Sequence, residues 1–318
     1  MAPKVKFSVR IHQSGYTYPM LREIWKAADG LGFHSATLFD LLNAPALECW
    51  TTLSALAGET SRIRLTPLVL ANTYRPPQLL AKMAATLDVI SEGRLELGIG
   101  AGGGESDHRA SGYDYPPIPT RVEMLEESVD IIGRLWREPN VTFRGKYYSV
   151  EGATVDPMPV QKPGPPILIG GHGDRYLMRA AARHGDICNI GFEMSLEDYD
   201  AKLATLNEHC HRAGRDPAQI EVSHNTRVII AEDSAGFDDL ISQGATAANT
   251  TPTAYKDSLS RAIAGTPDQC NEQIQKLVDR GITYFFLLFP EPVSADSLSL
   301  FAKHVMPHFV TASSDSGR

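Results

Sequence analysis

Short runs of apolar residues take turns with longer segments in which apolar residues recur every three or four positions. The short runs predict buried β-strands, and the longer segments predict amphipathic α-helices. In residues 77–90, for example, Leu80, Met83 and Leu87 fall on one face of a helix. The predicted strands are 5–10, 35–39, 64–69, 95–99, 167–169, 187–190, either 220–223 or 226–230, and 284–288. The predicted helices are 18–31, 46–59, 77–90, 121–136, 175–184, 195–213, 266–279 and a last helix that ends near residue 308.

Roughly eight strand–helix units fit a closed (β/α)8 TIM barrel, an α/β fold that takes about 250 residues before insertions. An open doubly wound sheet alternates in the same way, so the pattern alone leaves both folds open. No linker divides the chain, and we expect one domain over residues 1–318. The surplus length is expected in loop insertions near 112–120, 141–166 and 231–265. The last of these is rich in Gly, Ser, Thr and Ala and predicts a loop with some helix.

Composition narrows the range of partners. A formal net charge of −8 argues against nucleic acid or a membrane surface as the main partner, because both attract clustered Lys and Arg. A small molecule is the expected partner. No signal peptide and no stretch long enough for a transmembrane helix is visible, so we expect a cytoplasmic protein. The four cysteines lie far apart without a CxxC spacing, which indicates reduced, structural thiols.

A glycine motif follows the predicted strand 95–99. Gly98, Gly100 and Gly103 satisfy the G-x-G-x-x-G spacing of dinucleotide-binding proteins. That motif requires a long helix directly after the third glycine, and the Pro- and Gly-rich residues 111–117 argue against one. A strand end where backbone passes close to a flat ligand is the better interpretation, since glycine has no Cβ atom. A merely flexible turn is the alternative.

A second glycine cluster lies between a predicted strand and a predicted helix. Gly170, Gly171, His172 and Gly173 precede Arg175 there. Unpaired amides at a helix N-terminus carry partial positive charge, so this turn is a candidate phosphate site, to which Arg175 would add a full charge. An ordinary turn between strand and helix remains the alternative.

Histidine spacing gives no support to a metal site. His209 and His211 point to different faces of a helix. His304 and His308 have i, i+4 spacing but lack an intervening Glu and an evident third ligand. We therefore expect no metal, and surface positions explain both pairs.

A longer pattern is more specific than these short motifs. Residues 66–77, TPLVLANTYRPP, and residues 80–98, LAKMAATLDVISEGRLELG, resemble the luciferase-like monooxygenase superfamily, especially its branch that uses the deazaflavin coenzyme F420. The segments 165–171, 265–267 and 285–290 also match that pattern. The resemblance covers nearly the whole chain.

The resemblance implies a (β/α)8 barrel whose cofactor lies at the carboxyl ends of the strands. It implies a non-proline cis peptide near Leu68 and Val69 that pushes a bulge against the flavin ring, and it places Asn72 and Asp40 beside the cofactor. The turn formed by Gly100, Ala101, Gly102 and Gly103 would line the cofactor. Gly170, Gly171, His172 and Gly173 would hold its phosphate.

The sequence departs from the family where a proton donor is expected. Many relatives carry an Asp-His pair after the second strand, whereas this chain has Asp40 followed by Leu41, which cannot exchange a proton. Gly103 and Gly104 replace a common Trp and Asn, which should widen the pocket. The remaining acid–base candidates are His12, Asp40, Glu105 and His108, and for each of them a structural polar role stays open.

The function implied by this resemblance is hydride transfer between F420 and a small organic substrate. An electrophilic C=C, C=N or C=O group would be reduced, or an alcohol oxidised in reverse. An FMN-dependent monooxygenase at the same site is the first alternative, and a non-catalytic flavin-binding barrel is the second. Barrels of this kind often pair, so we expect a homodimer.

Overall fold

Eight parallel barrel strands form the centre of the computed structural model, which describes residues 5–171 and 174–309. Elements are numbered in chain order. The third barrel strand is split into two short pieces, β3 and β4, by a bulge at Leu68 and Val69. The barrel strands are β1 (Lys6–Arg10), β2 (Ser35–Leu38), β3 (Arg64–Pro67) with β4 (Leu70–Ala71), β5 (Leu97–Gly100), β8 (Ile167–Gly171), β9 (Ile187–Phe192), β10 (Glu221–Ile230) and β12 (Ile282–Leu288).

The strand order is that of a closed ring. Neighbouring strands follow the order β3, β2, β1, β12, β10, β9, β8, β5 and β4. Because β3 and β4 belong to one barrel strand, the pairing of β4 with β5 closes the ring, and a parallel bridge between Leu65 and Leu95 closes it at the other end. The predicted (β/α)8 barrel is confirmed and the open sheet is excluded. In this ring β1 lies opposite β8, and β2 lies opposite β9.

Helices surround the barrel in the described part of the chain. The predicted starts of two of them are confirmed, since Ser195 with Asp198 and Thr266 with Gln269 form capping boxes. The helices are α1 (Tyr18–Leu31), α2 (Cys49–Ala57), α3 (Pro77–Ile90), α4 (Glu105–Ala110), α5 (Ile118–Leu135), α6 (Asp174–His184), α7 (Leu196–Ala213), α8 (Ser234–Ala247), α9 (Pro252–Ser258), α10 (Pro267–Val278), α11 (Ala295–His304) and α12 (Met306–Phe309), with 3-10 turns at Asn72–Tyr74 and Pro217–Gln219. None of these described helices is both long and apolar enough to cross a bilayer.

The segment 231–265, predicted as a loop with some helix, is largely helical. It contains α8, α9 and a short strand, β11 (Ile263–Gly265), which pairs with β10. Asp233 and Thr251 cap the two helices by accepting hydrogen bonds from backbone amides. Ile241 and Leu259 bury an apolar cluster of their own beneath the helices. Caps and this small core therefore stabilise helices in a region whose Gly and Ser content argued against them.

The other two insertions differ from each other. The segment 141–166 forms an antiparallel hairpin of β6 (Val141–Arg144) and β7 (Ser149–Ala153), followed by an irregular stretch. The segment 112–120 is irregular only as far as Pro117, where α5 begins. The two alternative strands predicted at 220–223 and 226–230 are one continuous strand, β10, because the polar residues between them are buried in the barrel.

The amino-terminal end of the barrel holds a buried polar cluster. Glu96, 2% exposed, accepts hydrogen bonds from Thr66 Oγ1 at 2.8 Å and from Tyr284 Oη at 2.8 Å. His34 Nε2 and Arg64 Nε lie 3.1 Å and 2.9 Å from its other oxygen. Burial alone would raise the pKa of Glu96, but the hydrogen bond and charge of His34, with Arg64 and Thr66, lower it to about 2. The carboxylate thus stays ionised inside the barrel. All four cysteines are buried and free, as predicted.

Candidate active site

A cavity of about 580 Å³ opens at the carboxyl ends of the barrel strands. Backbone and side chains after β1, β2, β4, β5, β8, β9 and β10 line it. (β/α)8 enzymes bind their ligands at this end, and the volume suits an organic molecule. A groove of about 850 Å³ between α7, α8 and α10 is larger, but it lies beside the barrel and not over the strand ends. The mouth cavity is therefore the candidate site.

The bulge in the third strand forms one wall of the cavity. The Leu68–Val69 peptide bond is cis, as the resemblance implied. A Cβ atom at Gly98 would lie 1.9 Å from the carbonyl oxygen of Pro67, and one at Gly100 would lie 2.6 Å from that of Gly170. Such distances are far inside van der Waals contact, so neighbouring backbone requires these two glycines. The first half of the G-x-G-x-x-G motif thus serves the packing of β5 against the bulge.

The second half of that motif faces the cavity. Gly103 lines the cavity, and a Cβ atom placed there would meet no protein atom within 4 Å. Gly102 has φ +85°, a conformation that glycine adopts readily, and its Cβ would lie 2.7 Å from Thr73 Oγ1. At Gly103, in contrast to Gly98 and Gly100, the chain itself gives no reason for glycine. The space above it is available to a ligand.

His108 supports this glycine turn from below. The side chain is fully buried, with Nδ1 2.9 Å from the carbonyl oxygen of Gly104 and Nε2 2.6 Å from Thr73 Oγ1. Since a carbonyl only accepts, Nδ1 carries the proton in this pair and Nε2 accepts from Thr73 when the ring is neutral. The ring also packs against Tyr74 and Tyr115. Both ring nitrogens are engaged within the protein.

Asp40 is held by three hydrogen bonds at the edge of the cavity. Arg75 donates to both carboxylate oxygens at 2.8 and 2.9 Å, and the amide of Ala71 donates at 2.9 Å. Arg75 also reaches Glu48 at 3.2 Å. A bidentate arginine–carboxylate pair fixes both partners in one plane. Asp40 thereby ties the loop after β2 to the end of the third strand.

Three cavity-lining residues keep buried polar atoms that find no hydrogen-bond partner among the described residues. They are Arg10, through Nε and Nη1, Arg121, through Nε, and Asn225, through Oδ1. Asn225 uses its amide group to donate to Asn189 Oδ1 at 2.8 Å and to the Gly191 carbonyl at 2.7 Å. Buried polar groups in proteins are nearly always paired. Unpaired ones that face a cavity indicate a polar ligand.

Comparison with known proteins identifies the family. The family model for luciferase-like monooxygenases matches residues 4–255, which is most of the chain. The chain belongs to the luciferase-like monooxygenase family. It is therefore an oxidoreductase of the luciferase-like type.

Individual relatives agree with this assignment. The chain is 30% identical to an F420-dependent glucose-6-phosphate dehydrogenase of Microbacterium testaceum, over 88% of this chain and 90% of the relative. A monooxygenase of Streptomyces bottropensis has a similar structure, with a TM-score of 0.81 at 23% identity, covering 96% of this chain and 99% of that one. An F420-dependent tetrahydromethanopterin reductase of Methanopyrus kandleri has a TM-score of 0.76 at 21% identity, with coverage of 96% and 99%. The two structures share the fold with this luciferase-like chain.

Most residues predicted to bind a cofactor line the mouth of this luciferase-like barrel. They are Asp40, Leu68, Val69, Gly100, Ala101, Gly102, Gly103, Gly170 and Gly171. His172 and Gly173 lie outside the described residues. Asn72 is buried and donates to Tyr148 Oη at 3.2 Å instead of lining the cavity. Its place beside a cofactor stays a prediction.

The predicted acid–base residues are spread apart. His12 lies two residues beyond β1, where its ring packs against Phe39, and it is not part of the cavity lining. Glu105 begins α4 on the surface and pairs with Arg109 at 2.7 Å. His108 is packed under the glycine turn, and Asp40 is clamped by Arg75. The structure does not bring these four residues together, and their catalytic roles stay predictions.

Sequence reasoning missed several polar residues of the mouth. Arg10 has a signal in hindsight, since Ser8 and Arg10 alternate with apolar neighbours in β1 and so share the barrel-facing side of the strand. Asn189 likewise lies between apolar neighbours in β9, whereas Asn225 lies among other polar residues of β10 and has no such signal. Arg121 has no comparable signal, because it lies near the start of α5, where the spacing predicts only a helix.

Proposed function

We propose that this chain is an F420-dependent oxidoreductase that transfers a hydride between the deazaflavin and a small organic substrate. The names of its curated relatives, such as the F420-dependent glucose-6-phosphate dehydrogenase of Microbacterium testaceum, support this choice of cofactor. The observation that carries the proposal is the wall of backbone that lines the cavity at the barrel mouth. It runs from the bulge at Leu68 and Val69 past Gly103 to Gly170.

The residues present fit a flat ring with a phosphate-bearing tail. Gly103 leaves open space where any side chain would intrude, and Leu68, Val69 and Ala101 give the wall an apolar surface. The tail fits toward β8, since α6 begins at Asp174 directly after this strand and the amides of a helix N-terminus favour an anion. Arg121, which stacks 3.8 Å above the Tyr115 ring, adds positive charge to the same side of the cavity.

Each part of the site has a separate task in this proposal. When bound, the deazaflavin supplies a hydride-accepting and hydride-donating carbon. The Asp40–Arg75 pair keeps the wall rigid, and His108 fixes the glycine turn. Tyr74 lines the cavity, and burial, with the charges of Asp107 and Asp40, raises its pKa to about 12. Its hydroxyl therefore holds its proton at neutral pH and can donate a hydrogen bond inside the cavity.

An FMN-dependent monooxygenase is the second candidate. Leu41 lines the cavity at the position where the resemblance implies a proton-exchanging His, and this departure favours a chemistry that does not use that residue. The same wall accepts the ring of FMN.

Fluorescence titration with F420 and with FMN, each in both redox states, decides between the two. Preferential binding of F420 supports hydride transfer. Preferential binding of reduced FMN indicates a monooxygenase instead. If neither cofactor binds, both functions are wrong for this chain.

A further inference from the structure

Arg10 is a charged residue of the barrel mouth that the proposed function leaves unused. It is the last residue of β1 and lines the cavity. In the closed ring β1 lies opposite β8, which contributes Gly170 and Gly171 to the backbone wall. Arg10 therefore faces the wall proposed for the cofactor from across the mouth. A group between Arg10 and that wall is in the position of a substrate.

Two aromatic rings lie against the guanidinium of Arg10. Phe39 follows β2 and Phe192 ends β9, and these two strands are also opposite each other in the ring. The guanidinium carbon of Arg10 lies 5.0 Å from the centre of each ring. Cation–π contacts with the two rings restrain the guanidinium without using its N–H groups. The charge is thus held near the axis of the barrel.

Two nitrogens of this guanidinium have no hydrogen-bond partner in the described part of the chain. They are Nε and Nη1 of Arg10, and both are buried. The acidic groups with the largest effect on it are Glu193 and Glu291. Glu193 clamps Arg227 at 2.6 and 2.7 Å, and Glu291 accepts from the His12 amide at 3.0 Å. Both carboxylates are therefore engaged elsewhere.

The charge persists although its surroundings disfavour it. Burial lowers the pKa of Arg10 to about 10, partly offset by Glu193 and Glu291, so the group remains a cation at neutral pH. A buried cation without a hydrogen-bonded partner destabilises the folded protein, because the lost hydration of the charge is not replaced. Such residues in cavities are functional candidates, because a ligand can complete them.

We propose that Arg10 binds the carboxylate of the substrate. A planar guanidinium whose orientation is restrained presents parallel N–H groups that match a planar carboxylate in two hydrogen bonds. The substrate class is then a small carboxylic acid whose reactive carbon lies between Arg10 and the glycine wall. Naming this ligand a substrate rests on the proposed oxidoreductase function, whereas the anion site itself does not require a cofactor.

The test uses the ligand-free protein and two probes of the same shape. Benzoate carries a planar carboxylate, and benzamide is its uncharged analogue. Isothermal titration should show that the chain binds benzoate and that Arg10→Met weakens this binding by about tenfold or more, the loss expected for hydrogen bonds to a charged group. Benzamide binding should change little. Equal binding of both probes to the unmodified protein, or equal benzoate binding to the variant, overturns the proposal.

Control measurements separate a binding role from a structural one. Methionine retains the apolar stem between Phe39 and Phe192, so Arg10→Met should unfold at the same or a higher temperature. A lower melting temperature indicates a structural arginine and contradicts the proposal. Arg144→Met, which removes a surface arginine 76% exposed on the β6–β7 hairpin, should leave benzoate binding unchanged. Saturable binding of inorganic phosphate without benzoate binding overturns the carboxylate class.

The cofactor titration keeps the two proposals distinct. Arg10→Met should bind F420 as tightly as the unmodified chain, because Arg10 lies across the mouth from the backbone wall. If the variant loses F420 affinity as strongly as benzoate affinity, Arg10 serves the cofactor and the substrate assignment is wrong. If benzoate binds through Arg10 but neither F420 nor FMN binds, the proposed function fails and the anion site stands.

Discussion

At the amino-terminal end of the barrel, both oxygens of the buried Glu96 carboxylate contact partners, among them Thr66, Tyr284 and His34. At the carboxyl-terminal end, two buried nitrogens of the half-buried Arg10, Nε and Nη1, have no hydrogen bond to any described residue. The two groups are alike in burying a charge inside one barrel. They differ in whether the protein or a ligand completes their surroundings.

The difference agrees with the general organisation of (β/α)8 barrels, in which the amino-terminal end stabilises the fold and the carboxyl-terminal end binds ligands. Buried charges are tolerated when hydrogen bonds and counter-charges replace water, as they do around Glu96. That arrangement stabilises the fold but leaves nothing for a ligand. At the mouth, Arg10 and Asn225 keep buried polar atoms without a hydrogen-bond partner, which lowers stability. These atoms remain able to bind a ligand. Removing the charge of Glu96 should therefore lower stability, whereas removing the charge of Arg10 should not.

The largest effect is expected from breaking the amino-terminal cluster. Glu96→Gln retains the shape of the side chain but leaves Arg64 and His34 without their counter-charge. We expect a loss of about 3 kcal/mol in the free energy of unfolding, the lower range for breaking a buried ion pair. Urea denaturation followed by circular dichroism measures it. Glu208→Gln, which removes an exposed i, i+4 partner of Arg212, should cost less than about 0.5 kcal/mol.

The same carboxylate predicts how stability depends on pH. The pKa of Glu96 falls from its ordinary value of 4.5 to about 2 in the folded protein. The folded state therefore binds fewer protons than the unfolded state between these two values, and stability present above about pH 4.5 is lost as the pH falls toward 2. The expected contribution is on the order of 3 kcal/mol. Glu96→Gln should lack this part of the pH dependence, and identical profiles of the two proteins would contradict it.

Much of the fold was predictable from the sequence because it depends on periodic burial. The barrel strands and the helices capped by Ser195 and Thr266 follow directly from apolar spacing and capping residues. Some helix was predicted in 231–265, but not the bounds of α8 and α9, because short polar caps and a small separate core, centred on Ile241, override a Gly- and Ser-rich composition. The spacing of apolar residues gives little information about such caps and small separate cores.

The backbone parts of the candidate site were predictable from the sequence. The contacts between side chains from distant parts of the chain were not. The bulge at Leu68 and Val69 and the turn ending at Gly103 belong to a contiguous sequence pattern. The partners of Asp40 and Arg10 are set by the closure of the ring, which brings Arg75, Phe39 and Phe192 to them from other strands or loops. The spacing of residues along the chain does not reveal which side chains will contact Asp40 or Arg10.

A smaller loss is expected at the clamp of the mouth. Arg75→Lys retains the charge beside Asp40 but cannot form the bidentate pair, which holds the third strand to the loop after β2. We expect the free energy of unfolding to fall by about 2 kcal/mol, the scale of hydrogen bonds to charged groups. Chemical denaturation checks it, with Arg109→Lys at an exposed ion pair as the matched change. An undiminished stability would show that a simple charge suffices at this position.

The smallest effect on folding, and a specific effect on binding, is expected at Gly103. An alanine there meets no protein atom within 4 Å, and its backbone is not in the left-handed region, so the free energy of unfolding should change by less than about 1 kcal/mol. The added methyl group would occupy open space at a residue that lines the cavity, where we place the flat ring. Gly103→Ala should therefore weaken F420 binding by about tenfold, since a misfit of one methyl group costs about 1–3 kcal/mol.

Two further alanines make this result interpretable. Gly30→Ala, in α1 and away from the cavity, also meets no atom within 4 Å and should leave cofactor affinity unchanged while raising stability by about 0.5–1 kcal/mol. Gly98→Ala should unfold the protein far more readily, because its Cβ would lie 1.9 Å from the Pro67 carbonyl oxygen. If Gly103→Ala binds F420 with unchanged affinity, the ring does not lie on this part of the wall. Gly103 would then be explained by flexibility of the turn. The contrast between the two ends of the barrel would depend on the unpaired polar atoms of Arg10 and Asn225 alone.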